Sequence, residues 1–169
     1  MKVVLVLFVG IGISLGAPPV QGKTGQPVVS DAQLDHWLKM WQKRLGLDEW
    51  QISAQLVRVW ELKPDTLGNL RWNSSSKVAT IRVMNPQDYD LRPSEIPADI
   101  EYTVVHELVH LQLSSIPKAA GAKEVEERVV NRIGEALFAL EKGPNYRPRA
   151  AVAHVSTRGK SFEASRSAR

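Results

Sequence analysis

Residues 98–113 read ADIEYTVVHELVHLQL, and the organisation of the chain follows from what this stretch needs around it. Ile100, Val104, Val105, Leu108, Val109 and Leu111 recur at helical spacing and cover more than half of the circumference. Such a helix must be packed on at least two sides. Asp99 and Glu101 stand in its first turn, where carboxylates suit the helix dipole. Within the stretch, His106-Glu107-Leu108-Val109-His110 is an HExxH pattern on a predicted helix. The two His lie one turn apart on one face, so both imidazoles can reach a single ion at ~2.0–2.1 Å from each nitrogen. Glu107 is rotated by about 100° from His106, near enough to touch a metal-bound water but poorly placed as a third ligand. Its position suits a base. Two His and a Glu on the most buried helix would carry a heavy desolvation cost unless something bound them. A divalent-metal site is therefore expected, with one Zn2+ as the first choice because imidazole and carboxylate in an open tetrahedral site suit it.

Upstream, Ser30-Asp31 supplies an N-cap before the stripe Leu34, Trp37, Leu38, Trp41 and Leu45, which stops at Gly46. This predicts a first amphipathic helix with its Trp pair in the core and His36 at the edge of the stripe. Trp50 to Trp60 alternates, with Ile52, Ala54 and Leu56 on one face, and Leu67–Trp72 and Val78–Met84 are two further strands joined by a polar loop of hairpin length. Leu91 to Ala98, with Pro93 and Pro97, is an irregular connection. A last helix runs from about Lys123 to Glu141, with Val125, Val129, Val130, Ile133, Ala136, Leu137 and Leu140 as its expected buried stripe, and Gly143-Pro144 ends it. The fold class is α+β: a small, mostly antiparallel sheet of about three strands packed with an N-terminal helix, the central HExxH helix and a C-terminal helix.

The chain has 169 residues, 43% hydrophobic and 24% charged, and no Cys. One domain is expected, and disulfide scaffolds, thiol nucleophiles, iron–sulfur clusters and Cys-ligated zinc are excluded. The formal charge of +4 is not a property of the folded body. Residues 143–169 hold six basic side chains against one acid, whereas residues 17–142 hold 15 basic and 17 acidic ones. A nucleic-acid partner is therefore not expected. Met1-Lys2 followed by the uncharged run Val3–Leu15 and small residues before Ala17 reads as an export signal over 1–16, too short to span a bilayer comfortably. Residues 17–29 read as a linker, 30–142 as the domain, and 143–169 as a basic tail without apolar periodicity. The mature protein is expected to be a monomer without a transmembrane span, periplasmic or secreted if the signal is genuine and cytoplasmic otherwise.

A catalytic zinc takes three protein ligands and leaves one position to water. His36 on the first helix and His154 in the tail are poor candidates, whereas the last helix opens with Glu124, Glu126 and Glu127. Glu126 projects into the expected apolar stripe. Glu127 shares its face with Asn131 and Gly134; the glycine lets that face approach the His-bearing helix, and Asn131 could orient a ligand His. Glu127 is preferred over Glu126, with Glu124 third.

HELVH on one helix and Glu127-x-x-x-Asn131 on the next resemble the gluzincin branch of the zincin metallopeptidases. Over Ser30 to Lys142 the layout also resembles small phage- and bacterium-encoded HExxH metallopeptidases, in "GLDEWQI", "VVHELVHL" and "EERVVNRIGEAL". The resemblance implies His106, His110 and Glu127 as zinc ligands, Glu107 as general base in peptide-bond hydrolysis by a zinc-activated water, and a peptide or protein substrate. It also implies an edge strand, taken here as Val78–Met84, that pairs with the extended substrate. Tyr89, Tyr146 and Arg92 are candidates for an oxyanion donor. The competing reading is a catalytically inactive module in which the metal only fixes two helices together.

Overall fold

A computed structural model describes residues 28–117 and 121–143. The expected export signal, most of the linker and the basic tail beyond Gly143, including Tyr146 and His154, lie outside the described residues. The elements are α1 (Asp31–Arg44), β1 (Gln51–Val57), β2 (Gly68–Asn73), β3 (Val78–Met84), α2 (Ile96–Leu113) and α3 (Lys123–Lys142), with single 3-10 turns at Val59–Glu61 and Pro86–Asp88.

The helices begin and end where local chemistry dictates. Ser30 Oγ accepts from Gln33 N–H at 3.2 Å, satisfying a first-turn donor of α1. Gly46 beyond its end adopts φ +64°, a conformation that side-chain-bearing residues avoid. Leu34, Trp37, Leu38 and Trp41 of α1 are buried, and Val29 ahead of it is buried in the same core.

The α+β class and the three-stranded sheet are as expected, but the sheet is mixed and its order is β1-β3-β2. β3 pairs antiparallel with β2 and parallel with β1, in a register that sets Ala54, Ile81 and Leu70 side by side. Val78–Met84 is therefore not an edge strand, as expected above, but the middle one. Its side chains explain the choice, since Ala79, Ile81 and Val83 are all buried on the face turned to the helices, and a central position covers both flanks. The first strand stops at Val57 rather than Trp60 because the chain turns there. Arg58 makes a two-pronged bond to Asp88 (2.9 and 2.7 Å), and Val59 N–H donates to the same carboxylate at 2.9 Å. From that turn the chain crosses to β2, with Leu62 packed on Val57 and Met84.

α2 packs against α1, α3, β2 and β3, which accounts for its nearly continuous burial. One junction joins the three helices. Phe138 of α3 stacks on Trp41 of α1 (centroids 6.1 Å apart) and meets Tyr102 of α2 edge-on (5.6 Å). Beside it Glu101, 2% exposed, accepts from Trp41 Nε1 at 3.0 Å and pairs with Lys142 Nζ at 2.8 Å. A buried carboxylate is tolerable only with such partners.

The expected buried stripe of α3 is corrected. Val125, Val129, Ile133, Ala136 and Leu140 are exposed, and the helix turns Val130, Gly134 and Phe138 to the core. Gly134 decides the matter: a Cβ there would stand 3.3 Å from the Tyr102 ring, so the glycine face approaches α2 more closely than a Val/Leu face can. No described helix is long and apolar enough to cross a membrane.

Replacing Phe138 by Ala should remove the wedge between Trp41 and Tyr102 and cost about 3–5 kcal/mol, read as a lower urea midpoint with little change in slope.

Candidate metal centre

His106 and His110 stand on the stretch of α2 that faces the start of α3. Their Nε2 atoms are 3.1 Å apart, and Glu127 Oε2 lies 3.5 Å from the first and 3.4 Å from the second. These three separations fit one ion. In a tetrahedral site the distance between two ligand atoms is about 1.63 bond lengths, or ~3.3–3.4 Å for bonds of ~2.0–2.1 Å. His106, His110 and Glu127 thus form a group that could hold a metal ion, its ligand atoms all within 4.8 Å of one another.

The neighbouring acid has a different task. Glu126 Oε1 lies 3.0 Å from His110 Nδ1, on the far side of the ring from the Nε2 cluster. With Nδ1–H donating to that carboxylate, the Nε2 lone pair is left for a metal. The contact with a His ring nitrogen that was expected of Asn131 is made by Glu126. Asn131 lines the same cleft, but its Oδ1 is buried without a partner among the described residues, and its main-chain carbonyl accepts from the Tyr102 hydroxyl at 3.4 Å.

The carboxylates and imidazoles of the group shift one another's titration. Burial pushes the Glu107 carboxyl up; His106 and His110 counter this only in part, and Glu127 adds to it. For His110 burial opposes the cation, yet the carboxylates of Glu127 and Glu126 outweigh it and the pKa is raised. Glu127 is held well below the usual carboxylate range by its contacts with His106 and His110.

The group opens into a cleft of about 770 Å³, within the range of small-molecule and peptide sites. α2 lies between its two sides, formed by β2 with the loop before it and by the first turns of α3. Gly68 at the head of β2 is a determinant that the sequence reading passed over. A Cβ there would meet Thr103 Cγ2 at 2.7 Å, Arg82 O at 3.0 Å and Glu107 Oε1 at 3.2 Å. A glycine inside a strand signals such a close approach. Met84 N–H donates to Leu67 O at 2.8 Å, which fixes the alternation of the β2–β3 ladder. The N–H and C=O of Gly68 and Leu70 therefore point away from β3, at the free edge of β2. Comparison with protein-family models, curated proteins and solved structures finds no match for this chain.

Of the residues singled out in the sequence, His106, Glu107, His110, Glu126, Glu127 and Asn131 converge on the cleft. Tyr89 and Arg92 do not line it: Tyr89 is half-buried with its hydroxyl enclosed, and Arg92 is tied to Glu95 at 2.7 Å. His36 is exposed on α1. Among the described residues, the cationic groups that do line the cleft are Lys63 and Lys123.

Titration calorimetry with Zn(II) should give one site per chain, abolished in Glu127→Ala and weakened about 10–100-fold in Glu126→Gln. Binding requires neutral His110, whose raised pKa keeps its proton on above the ordinary ~6.5. Affinity should therefore climb as pH rises through neutrality and fall away on the acid side, and in Glu126→Gln the climb should shift to lower pH.

Proposed function

We propose that the protein is a zinc-dependent metallopeptidase. The observation that carries this reading is the tetrahedral spacing of His106 Nε2, His110 Nε2 and Glu127 Oε2 beside the buried carboxyl of Glu107, at the wall of an open cleft. Zinc bound there would polarise a peptide carbonyl and acidify a water. Three ligands from the chain leave room for both.

Glu107 supplies the proton traffic. Its environment raises its proton affinity, so it can take a proton from the attacking water and return it to the amine as the C–N bond breaks. The absence of a side chain at Gly68 leaves the carboxyl approachable from the β2 side. An extended peptide laid along the free edge of β2 would find the N–H and C=O of Gly68 and Leu70 directed at it. The edge expected of Val78–Met84 thus passes to β2. The N-terminal run Val3–Leu15 favours an exported setting, with substrates outside the cytoplasm.

The test is hydrolysis of a mixed peptide library by the zinc-loaded full chain. Cleavage should stop on adding chelator and return with zinc. Glu107→Gln should keep stoichiometric zinc and lose at least about a hundredfold in turnover. A zinc-loaded chain that cleaves nothing, but whose melting temperature falls when the metal is stripped, would replace this reading with that of an inactive metal-stabilised module.

Replacing Gly68 by Ala should both destabilise the fold, by about 1–3 kcal/mol from the clash with Thr103 and Arg82, and lower kcat at unchanged zinc stoichiometry.

A further inference from the structure

Most basic side chains on the body of this protein are tied to an acid: Arg44 to Glu141 at 2.6 Å, Arg58 to Asp88 at 2.7 Å and Arg82 to Glu61 at 3.0 Å. Arg71, Lys63 and Lys123 differ. All three are exposed, and none has a carboxylate within ion-pair distance among the described residues. They stand along the free edge of β2 and in the cleft beside it.

A side chain at Gly68 would point at Thr103 and Glu107, so strand alternation turns Leu70 and Trp72 to that same face, and Asn69, Arg71 and Asn73 to the opposite one. On the opposite face the neighbours of Arg71 offer it no charge. Asn69 and Asn73 flank it, Thr80 lies across the ladder, and the diagonal Arg82 is engaged with Glu61. A carboxylate can reach Arg71 from the unpaired side of the strand. Lys63 and Lys123 line the cleft itself, one from each side. The chain at Lys63 is pinned, since Thr66 N–H and Oγ1 both donate to its carbonyl, at 3.2 and 2.8 Å. Lys123 stands one helical turn before Glu127 on the same side of α3. The acids there are engaged elsewhere, Glu126 with His110 and Glu127 with both imidazoles.

We propose that the peptide taken by this site is acidic, with one carboxylate side chain opposite Arg71 on the outer face of β2 and a second carboxylate held in the cleft by Lys63 and Lys123. This rests on the metallopeptidase reading, which lays the peptide along β2 as a further strand. In such a pair the residue opposite Arg71 turns its side chain to the same face as Arg71, whichever way the peptide runs. Its two neighbours in the peptide turn to the cleft face beside Leu70 and Trp72, and should be apolar.

The experiment is a random decapeptide library, in amidated and free-acid forms, cut by the zinc-loaded full chain and read by mass spectrometry. Asp and Glu should be enriched at one fixed distance from the cut through Arg71. A second enrichment should come from Lys63 and Lys123; its presence in both forms of the library identifies a side chain, and in the free-acid form alone a C-terminus. Arg71→Gln should raise KM for the acidic peptides about two- to fivefold at unchanged kcat and zinc content. Arg71→Glu should exchange the acids at the first position for Lys and Arg and spare the second, whereas Lys63→Gln/Lys123→Gln should remove only the second. Cleavage without acidic preference, or a preference that Arg71→Glu leaves unaltered, would overturn the inference with the peptidase reading intact; Arg71 would then only keep the strand edge from pairing with other chains. If nothing is cut, the peptidase reading falls and binding decides the inference alone. A fluorescein-labelled peptide of alternating Glu and Val should then bind the zinc-loaded chain more tightly than its Lys and Val counterpart, with the difference shrinking in Arg71→Glu. Equal binding of the two peptides would overturn it.

Discussion

A helix buried along nearly its whole circumference has to be walled in, and everything in this protein is arranged around that requirement of α2. The sheet and α1 supply two walls, but the third, α3, is held by a small set of contacts. Phe138 lies between Trp41 and Tyr102, Gly134 lies against the Tyr102 ring, and Lys142 closes on the buried Glu101. These contacts sit at the middle and end of α3. Glu127 lies seven residues before Gly134, two helical turns or about 10 Å away. The aromatic junction thus sets, at a distance, the axis of the helix that bears Glu126 and Glu127.

The cluster of His106, His110, Glu107, Glu126 and Glu127 is costly by itself. Three carboxylates share a small volume with two imidazoles that lean on each other through their Nε2 atoms. The crowding is eased by a raised proton affinity of Glu107 and His110. A divalent cation would displace those protons, and its binding free energy would add to the stability of the α2–α3 pair.

The parts of the fold legible in the sequence were those encoded locally. Ser30 as a cap, the Ile52-Ala54-Leu56 face, the span of β3 and the HExxH face of α2 all rest on periodicity or on a residue's own side chain. The grouping of Glu127 with the two His was legible too, because Gly134 on the same helical face announces which side can come close. What escaped was non-local. The order β1-β3-β2 depends on a crossing between strands that leaves no periodic trace, so the edge was assigned to the wrong strand. Val125, Val129, Ile133 and Leu140 look like a core stripe by hydrophobicity alone, and only the aromatic and glycine face opposite them shows which side α2 takes. The contact of Glu126 with His110 Nδ1 left no sign either, because it joins two helices. Gly68 was passed over inside the Leu67–Trp72 strand, since its value lies in atoms of Thr103 and Glu107 brought up from elsewhere in the chain.

The insertion of β3 between β1 and β2 also sets an order of events. β1 has no strand to pair with until residues 78–84 have been made and the β2–β3 hairpin has turned, so the sheet cannot be laid down in the order of synthesis. The first strand must wait, unpaired, while its eventual neighbour is still being added to the chain. The hairpin, with the cleft edge on its outer side, can close early by local contacts, whereas the parallel pairing of β1 has a longer loop to close. The acidic helix comes later still. The group of His106, His110 and Glu127 is therefore complete only once the whole of α3 has been made and packed on α2.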